Sequence, residues 1–230
     1  YFYENEDNIF ANHITEIFVA DNAHLTIDKL QNEEESSNQI ITEQVEQAKD
    51  STFTINTLIF NGGLVRNNLN IAVNGTNCET NLNGAYILKG NQHVDNHTVV
   101  DHKVAHCNSN ELYKGVIDGN ATAVFNGKVF VRKDAQKINA FQSNGNVLLT
   151  DDASVNSKPE LEIYADDVKC SHGSTTGQLD EEAVFYLRAR GISEKAARQL
   201  MVSAFIGEVF EKIENDKVMD FVHTIYNTEA

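Results

Sequence analysis

Tryptophan is absent from the 230-residue sequence, proline occurs once and cysteine three times. The cysteines are odd in number and widely spaced, which argues against a disulfide framework and fits a reducing, cytoplasmic compartment. No CxxC pair occurs, so that motif cannot hold zinc or an iron–sulfur cluster here. The lack of tryptophan, together with few arginines, argues against the aromatic and basic groove of a polysaccharide-acting protein.

Basic residues are also scarce: 18 lysines and arginines stand against 34 acidic residues, which gives a net charge of -16. Such a surface repels phosphate backbones, so nucleic acid is not an expected partner. No apolar run approaches the ~18 residues that a membrane-spanning helix needs, and nothing in these residues reads as a signal peptide. Because the sequence begins at Tyr1 without a methionine, we expect the natural protein to extend further in the N-terminal direction.

The common catalytic motifs are missing as well. The sequence has no P-loop, so we do not expect the chain to hydrolyse ATP by itself, and neither GxSxG nor HExxH occurs. Asp151-Asp152 and Asp166-Asp167 are paired acids at the ends of apolar runs. Paired carboxylates can serve a glycosidase or lyase, but at strand ends they are more often turn residues. A β-helix that binds or acts on carbohydrate is therefore the alternative interpretation.

Residues 1–177 predict an all-β core. Short apolar runs such as NIAVNG, GAYILKG, GVIDGN and KVFVRK recur at a spacing of about ten residues, without a helical period. Residues 31–50 interrupt them with polar sequence, in which Glu33–Glu35 predict a charged turn. The predicted turn pairs are Asn74-Gly75, Asn83-Gly84, Asp118-Gly119, Asn126-Gly127 and Asn144-Gly145.

This pattern fits either a sandwich or barrel, or a β-helix whose coils stack around one continuous core. Short strands, Asn- and Asp-rich turns, scarce proline and the lack of long crossover loops favour the β-helix.

Residues 178–230 predict a small helical region. Asp180 is placed to cap a first helix, Gly191 to end it, and Ser193 to cap a second helix. A third short helix is expected around residues 218–226. The predicted apolar stripe of the second helix consists of Ala197, Leu200, Met201, Ala204, Phe205, Val209 and Ile213. So small a bundle needs the strands or a partner to pack against.

Four histidines, His93, His97, His102 and His106, fall in one short segment and invite a metal interpretation. On an extended strand, however, the first two share one face and the last two are offset by an odd step. A closed zinc site wants four tetrahedral ligands, so structural histidines are the favoured interpretation.

The cysteines have separate interpretations. Cys78 and Cys107 lie in strand-like runs and are expected to be small buried hydrophobes. Cys170 and His172 are two positions apart near the end of the strand region, so both side chains can point to one face. Thiolate and imidazole together suit iron, but two ligands cannot close a site. Either a second chain supplies the rest, or the pair only forms the corner between strands and helices.

Long segments resemble the SufB/SufD family of iron–sulfur cluster assembly proteins, and the SufD branch fits best. The similarity covers about residues 45–213 and is nearly ungapped. The segments are VRNNLNI, HVDNHTVVDH, LYKGVIDG, VFNGKVFVRKDAQK, FQSN and KPELEIYADDVKCSHGSTTGQLDEEAVFYLRARGIS.

The resemblance implies a right-handed parallel β-helix followed by helices that dock a SufC-like ATPase. It implies pairing with a SufB-like subunit, or a homodimer through the same β-helix edge. It implies a non-catalytic subunit that binds no cofactor stably alone and meets iron or a transient iron–sulfur cluster in the assembled complex.

The resemblance also implies site residues. His172, in the SHG motif, faces the partner where the cluster forms, and Cys170 is a weaker candidate. The SufB branch has a QC pair where this sequence has Gln142-Ser143, which argues against autonomous cluster building. The expected partner contacts are Arg188, Arg190, Phe185 and Tyr186; the two aromatic residues and Leu187 are expected to serve as packing residues.

Overall fold

A computed structural model of the chain describes residues 9–228. The described residues form twelve β-strands followed by three α-helices. The strands are β1 Phe10–Val19, β2 His24–Asn32, β3 Asn38–Gln47, β4 Thr52–Asn61, β5 Leu64–Val73, β6 Glu79–Leu88, β7 His93–His102, β8 Asn108–Ile117, β9 Thr122–Val131, β10 Asn139–Leu148, β11 Ser154–Ile163 and β12 Lys169–Gln178. The helices are α1 Glu181–Ala189, α2 Glu194–Phe210 and α3 Asp216–Thr228.

The strands form two parallel six-stranded sheets. Sheet A has the order β1-β3-β5-β7-β9-β11, and sheet B has the order β12-β10-β8-β6-β4-β2. Each turn of the chain therefore adds one strand to each sheet, and six turns stack into a β-solenoid. Equivalent positions on successive turns are about 30 residues apart, as in the pairs His93↔Thr122 and Asn139↔Lys169. The predicted fold class, a mainly β solenoid followed by helices, is confirmed.

Two details of the strand prediction were wrong. The strands are not short, because each has ten residues except β2, which has nine. The polar segment predicted as a break contains β3, whose alternate residues Gln39, Val45 and Gln47 are buried. Amide side chains on the inner face hid this strand from a search for apolar runs. The charged turn predicted at Glu33–Glu35 does lie between β2 and β3.

Three of the five predicted turn pairs lie inside strands. Gly84 belongs to β6 and Gly127 to β9, while Asn144-Gly145 belongs to β10. At Gly84 glycine is needed for space, because a Cβ there would overlap the ring of Tyr113 on the next turn. Asp118-Gly119 is a true corner, where Gly119 has φ of 66°.

The interior between the two sheets is a continuous apolar core. Its side chains alternate along each strand and stack from turn to turn, as Phe53, Ile55 and Leu82 show with 0% exposure. The stack repeats every turn, so each new strand buries its inner face on the one before it.

The helices lie on the outer face of sheet B. Asp180 and Ser193 cap α1 and α2 as predicted, and Gly191 follows α1 with φ of 90°. The predicted stripe of α2 was wrong in part, because Leu200 and Ala204 are exposed. The buried residues of α2 are Ala197, Val202, Ile206 and Val209. Of these, Val202, Ile206 and Val209 pack, together with Val218 and Val222 of α3, on Leu58, Phe60, Ala85 and Val116 of sheet B.

Among the described helices, none combines the length and apolar content that a transmembrane segment requires.

Candidate functional site

Strand β12 forms the C-terminal edge of sheet B, with β10 as its neighbour. Among residues 9–228, no further turn stacks on the free edge of β12, so the end of the solenoid is open there. Cys170 is half-buried and packs against the core, which places it on the inner face. His172 is two residues further along the strand, hence on the same face, and it is exposed. The structure therefore brings the two predicted residues side by side at an open end.

Burial raises the pKa of the Cys170 thiol, although a backbone hydrogen bond at Ala140 partly offsets this effect. The thiolate is the form that binds metal, so this cysteine is held in its weaker, neutral state. Within the pair, the geometry thus favours His172 as the group available to a ligand.

A polar column lies directly beneath His172. In the parallel register His172 pairs with Gln142, and Gln142 pairs with Glu111. Both inner residues are buried, at 3% and 5% exposure. Gln142 Nε2 donates a hydrogen bond of 2.6 Å to Glu111 Oε2. The column thus leads from the exposed imidazole into the interior between the two sheets.

Glu111 is fixed from two sides. Thr98 Oγ1, on sheet A, donates a hydrogen bond of 2.5 Å to Glu111 Oε1. Burial raises the pKa of this carboxyl, while the hydrogen bonds from Gln142 and Thr98 oppose the rise. A carboxyl so deep in the core is costly, which makes it a candidate for function rather than packing.

The other end of the Gln142 amide has a different environment. Gln142 Oε1 is buried and has no hydrogen-bond partner among the described residues. From sheet A, Gly127 faces this side chain, and a Cβ at that position would overlap Gln142 Nε2. Glycine thus leaves the space that the amide occupies.

Ser143 lies on the opposite face of sheet B from Gln142 and His172, because neighbours in a strand alternate. It is exposed and, with Phe141 and Ser171, lines an outer groove of about 1000 Å³. The rest of the groove carries mainly amide and charged side chains, including Asn81, Asn110, Glu208 and Lys212.

Cys78 and Cys107 are buried as predicted, at 1% and 0% exposure. They stack on consecutive turns, and both thiols donate to the carbonyl oxygen of Gly75, at 3.1 and 3.3 Å. The hydrogen bond between the two sulfur groups lowers the pKa of Cys78 to about 6. The same hydrogen bond raises the pKa of Cys107. This pair belongs to the core at one corner of the solenoid.

The four histidines do not converge. His97 Nε2 lies 2.8 Å from Asp95 Oδ1 on the outside of sheet A, whereas His102 is fully buried at the end of β7. His106 occupies an exposed turn with φ of 64°. Within residues 9–228 no group of three or more His, Cys, Asp or Glu side chains is placed to hold a metal ion.

Helix α1 presents an aromatic surface to solvent. Phe185 and Tyr186 are 71% and 57% exposed, so neither packs within the chain. Arg190 donates a hydrogen bond of 2.8 Å to the Tyr186 hydroxyl and stacks 5.0 Å from its ring. Arg188 forms an ion pair of 3.2 Å with Glu194. Exposed aromatic residues beside arginine are typical of the energetic centre of protein interfaces.

Sequence reasoning missed Glu111, Gln142 as a partner of His172, and Gly127. The signal that would have found them is the turn length, because Glu111, Gln142 and His172 are spaced by 31 and 30 residues. A carboxylate, an amide and an imidazole at that spacing must stack on one inner face.

Comparison with known proteins gives a family match. A family model described as the SufBD core domain of SUF system FeS cluster assembly matches residues 1–205. The iron–sulfur cluster assembly protein SufD of Escherichia coli is 38% identical over 87% of this chain and 47% of its own length. An iron–sulfur cluster assembly SufBD family protein of Synechocystis is 39% identical over 89% of this chain and 45% of its own.

A plant relative extends the comparison. The chloroplastic protein ABCI7 of Arabidopsis thaliana is 35% identical over 94% of this chain and 46% of its own length. The chain therefore spans about half the length of each of these curated relatives.

Proposed function

Since the chain belongs to the SufBD family of the SUF system for iron–sulfur cluster assembly, we propose that it is a SufD-like scaffold subunit that contributes His172 to cluster assembly. The observation that carries the proposal is the position of His172, exposed beside Cys170 at the open end of the solenoid. Imidazole is a suitable ligand for iron, and a site with one or two protein ligands is completed by a second chain.

The partner at this end is a SufB-like subunit, or a second copy of this chain through the same β-helix edge. Strand β12 is an edge strand with mostly exposed residues, so its unpaired backbone groups are available for pairing with another strand. Iron and the forming cluster are the cargo of the complex and bind this chain only transiently. The chain itself is a non-catalytic subunit, and we place it in the cytoplasm.

Helix α1 is the proposed docking surface for a SufC-like ATPase. Phe185 and Tyr186 supply exposed aromatic area there, and Arg188 and Arg190 flank them. In this mechanism, ATP-driven dimerisation of the ATPase pulls on the helices. The helices pass the movement to sheet B, on which α2 and α3 are packed, and so open the β12 end to iron and sulfur.

The test is His172→Ala in cells that depend on the SUF system, with complex formation followed by co-purification. We expect the complex to form and cluster maturation to fail, because the substitution removes the imidazole from an exposed position without disturbing the core. Ser171→Ala is the matched control, since Ser171 is the exposed neighbour on the opposite face. Normal maturation with His172→Ala would show that the site lies wholly in the partner.

A further inference from the structure

We propose that Gln142 is a positioning residue for His172: its Oε1 accepts a hydrogen bond from one imidazole N–H and leaves the other ring nitrogen free for a ligand. The inference rests on the proposed function for its biological meaning, because the ring orientation matters only where His172 contacts the cluster. Its physical basis is the polar column that runs from β12 to Glu111.

The register brings the two side chains together. Gln142 and His172 are direct partners on adjacent parallel strands, which lie about 4.8 Å apart, and both project from the inner face. Gln142 Oε1 is buried without a partner, and a buried acceptor in that state is costly unless it is satisfied. The imidazole of the next turn is the donor that the column offers.

Glu111 decides which end of the amide faces His172. A carboxylate accepts hydrogen bonds and donates none, so it selects the Nε2 end of Gln142, at 2.6 Å. The Oε1 end is then the one left for the imidazole. An oxygen can accept only from a protonated ring nitrogen, so this contact selects one neutral tautomer of His172.

Two neighbours hold the column in place. Thr98 anchors Glu111 from sheet A through its hydroxyl, at 2.5 Å. Gly127, beside Thr98 on the next turn, provides the space into which the Gln142 amide fits. Residues of both sheets are therefore arranged around a single amide, and all of them are buried.

The experiment measures the tautomer of His172 in the protein without any partner. The protein is labelled with ¹⁵N-histidine, and ring nitrogen shifts are recorded at pH 8, where an ordinary imidazole is neutral. The His172 signals are assigned by their loss in His172→Gln. We expect the tautomer ratio to differ from that of a peptide of residues 169–175 by roughly two-fold to ten-fold, the range of a single hydrogen bond.

The variants separate positioning from general structure. Gln142→Met removes the amide at constant shape, and Gly127→Ala displaces it from the opposite sheet; both should return the ratio to the peptide value. Glu111→Gln can donate as well as accept, so it no longer selects one end of the Gln142 amide and should move the ratio towards the peptide value. Ser143→Ala lies on the other face and should keep the wild-type ratio.

A wild-type ratio equal to that of the peptide, or a ratio unchanged in Gln142→Met and Gly127→Ala, would overturn the inference. If Gln142→Met does not fold, the tautomer ratio of the wild type is compared with that of the peptide and that of Gly127→Ala, and these two comparisons still test the inference. The measurement needs no cluster, so its result is independent of whether His172→Ala blocks maturation. Failure of the proposed function and failure of the positioning role are therefore distinguishable.

Discussion

His102 is the residue whose chemistry is most altered by the fold. It ends β7 with 0% exposure, and its Nε2 lies 2.9 Å from Ser109 Oγ on the next strand. Burial disfavours the imidazolium and lowers the His102 pKa to about 4, against a small opposing effect of Asp101. The histidine that the sequence offered as a metal ligand is thus a neutral member of the core.

The lowered pKa predicts a pH dependence of stability. Because the native pKa is about 4 and the unfolded value is about 6.5, the unfolded state binds the proton more readily between these values. The contribution of His102 to the unfolding free energy is fully present above pH ~6.5 and is lost as the pH falls towards 4. In His102→Gln, the loss in unfolding free energy between pH 7.5 and 5 should be smaller than in wild type by about 2 kcal/mol.

Urea unfolding at the two pH values measures this difference. His106→Asn is the control, since it removes an exposed histidine at a left-handed position that asparagine tolerates. It should keep the wild-type pH dependence. Equal losses in wild type and His102→Gln would contradict the assignment of His102 as a buried neutral base.

At the scale of elements, α2 shows how an apolar stripe can be assigned to the wrong side. The sequence offers Leu200 and Ala204 as well as Val202 and Ile206, so a helical period fits more than one face. The sheet decides among them, because the apolar outer face of sheet B meets Val202, Ile206 and Val209. Leu200 is left 52% exposed.

The corrected face predicts unequal costs for two similar truncations. Ile206→Ala should lower the unfolding free energy by about 2–5 kcal/mol, because the side chain is fully buried against sheet B. Leu200→Ala should change it by less than about 1 kcal/mol. The midpoints of urea unfolding, at unchanged denaturant slopes, measure the two changes in unfolding free energy. Similar losses for Ile206→Ala and Leu200→Ala would contradict the burial of Ile206 and the exposure of Leu200.

The helix caps, the glycine at 127 and the site residues show which features of the fold can be predicted from sequence and which cannot. Asp180, Gly191 and Ser193 were predictable because caps depend on local backbone chemistry. The Asn-Gly pair at 126–127 was misassigned as a turn because the need for glycine comes from a side chain on the opposite sheet, that of Gln142. Cys170 and His172 could be predicted as a pair because they are two positions apart in the sequence. Glu111 is far from them in the sequence, and only the strand register places it in the same column.

At the scale of the whole molecule, two exposed surfaces carry the proposed partner contacts: the open β12 end and the aromatic surface of α1. Removal of residues 180–230 would not test the second one cleanly, since α2 and α3 cover apolar residues of sheet B such as Phe60 and Val116. Point substitutions on α1 leave that packing intact, because Phe185 and Tyr186 are exposed.

For this reason, if α1 docks the proposed SufC-like ATPase, Phe185→Ser combined with Tyr186→Ser should weaken that binding by roughly ten-fold or more, the usual effect of losing aromatic interface anchors. Titration of the purified ATPase against the chain measures the affinity. Phe221→Ser is the control, since Phe221 is an aromatic residue of α3 with 44% exposure. Equal affinities for the double variant and wild type would remove α1 from the docking surface.

The constant turn length has a consequence for how the chain acquires its structure. Strand pairs join residues about one turn apart, so each pairing closes a loop of similar, moderate size. Folding can therefore nucleate within a central pair of turns and grow outward one turn at a time, as in a one-dimensional array. In such an array the terminal units form last and fray first, and β12, the strand that carries His172, belongs to one of them. A second chain paired to β12 would then act as the next unit of the array, and would stop the fraying where the histidine is needed.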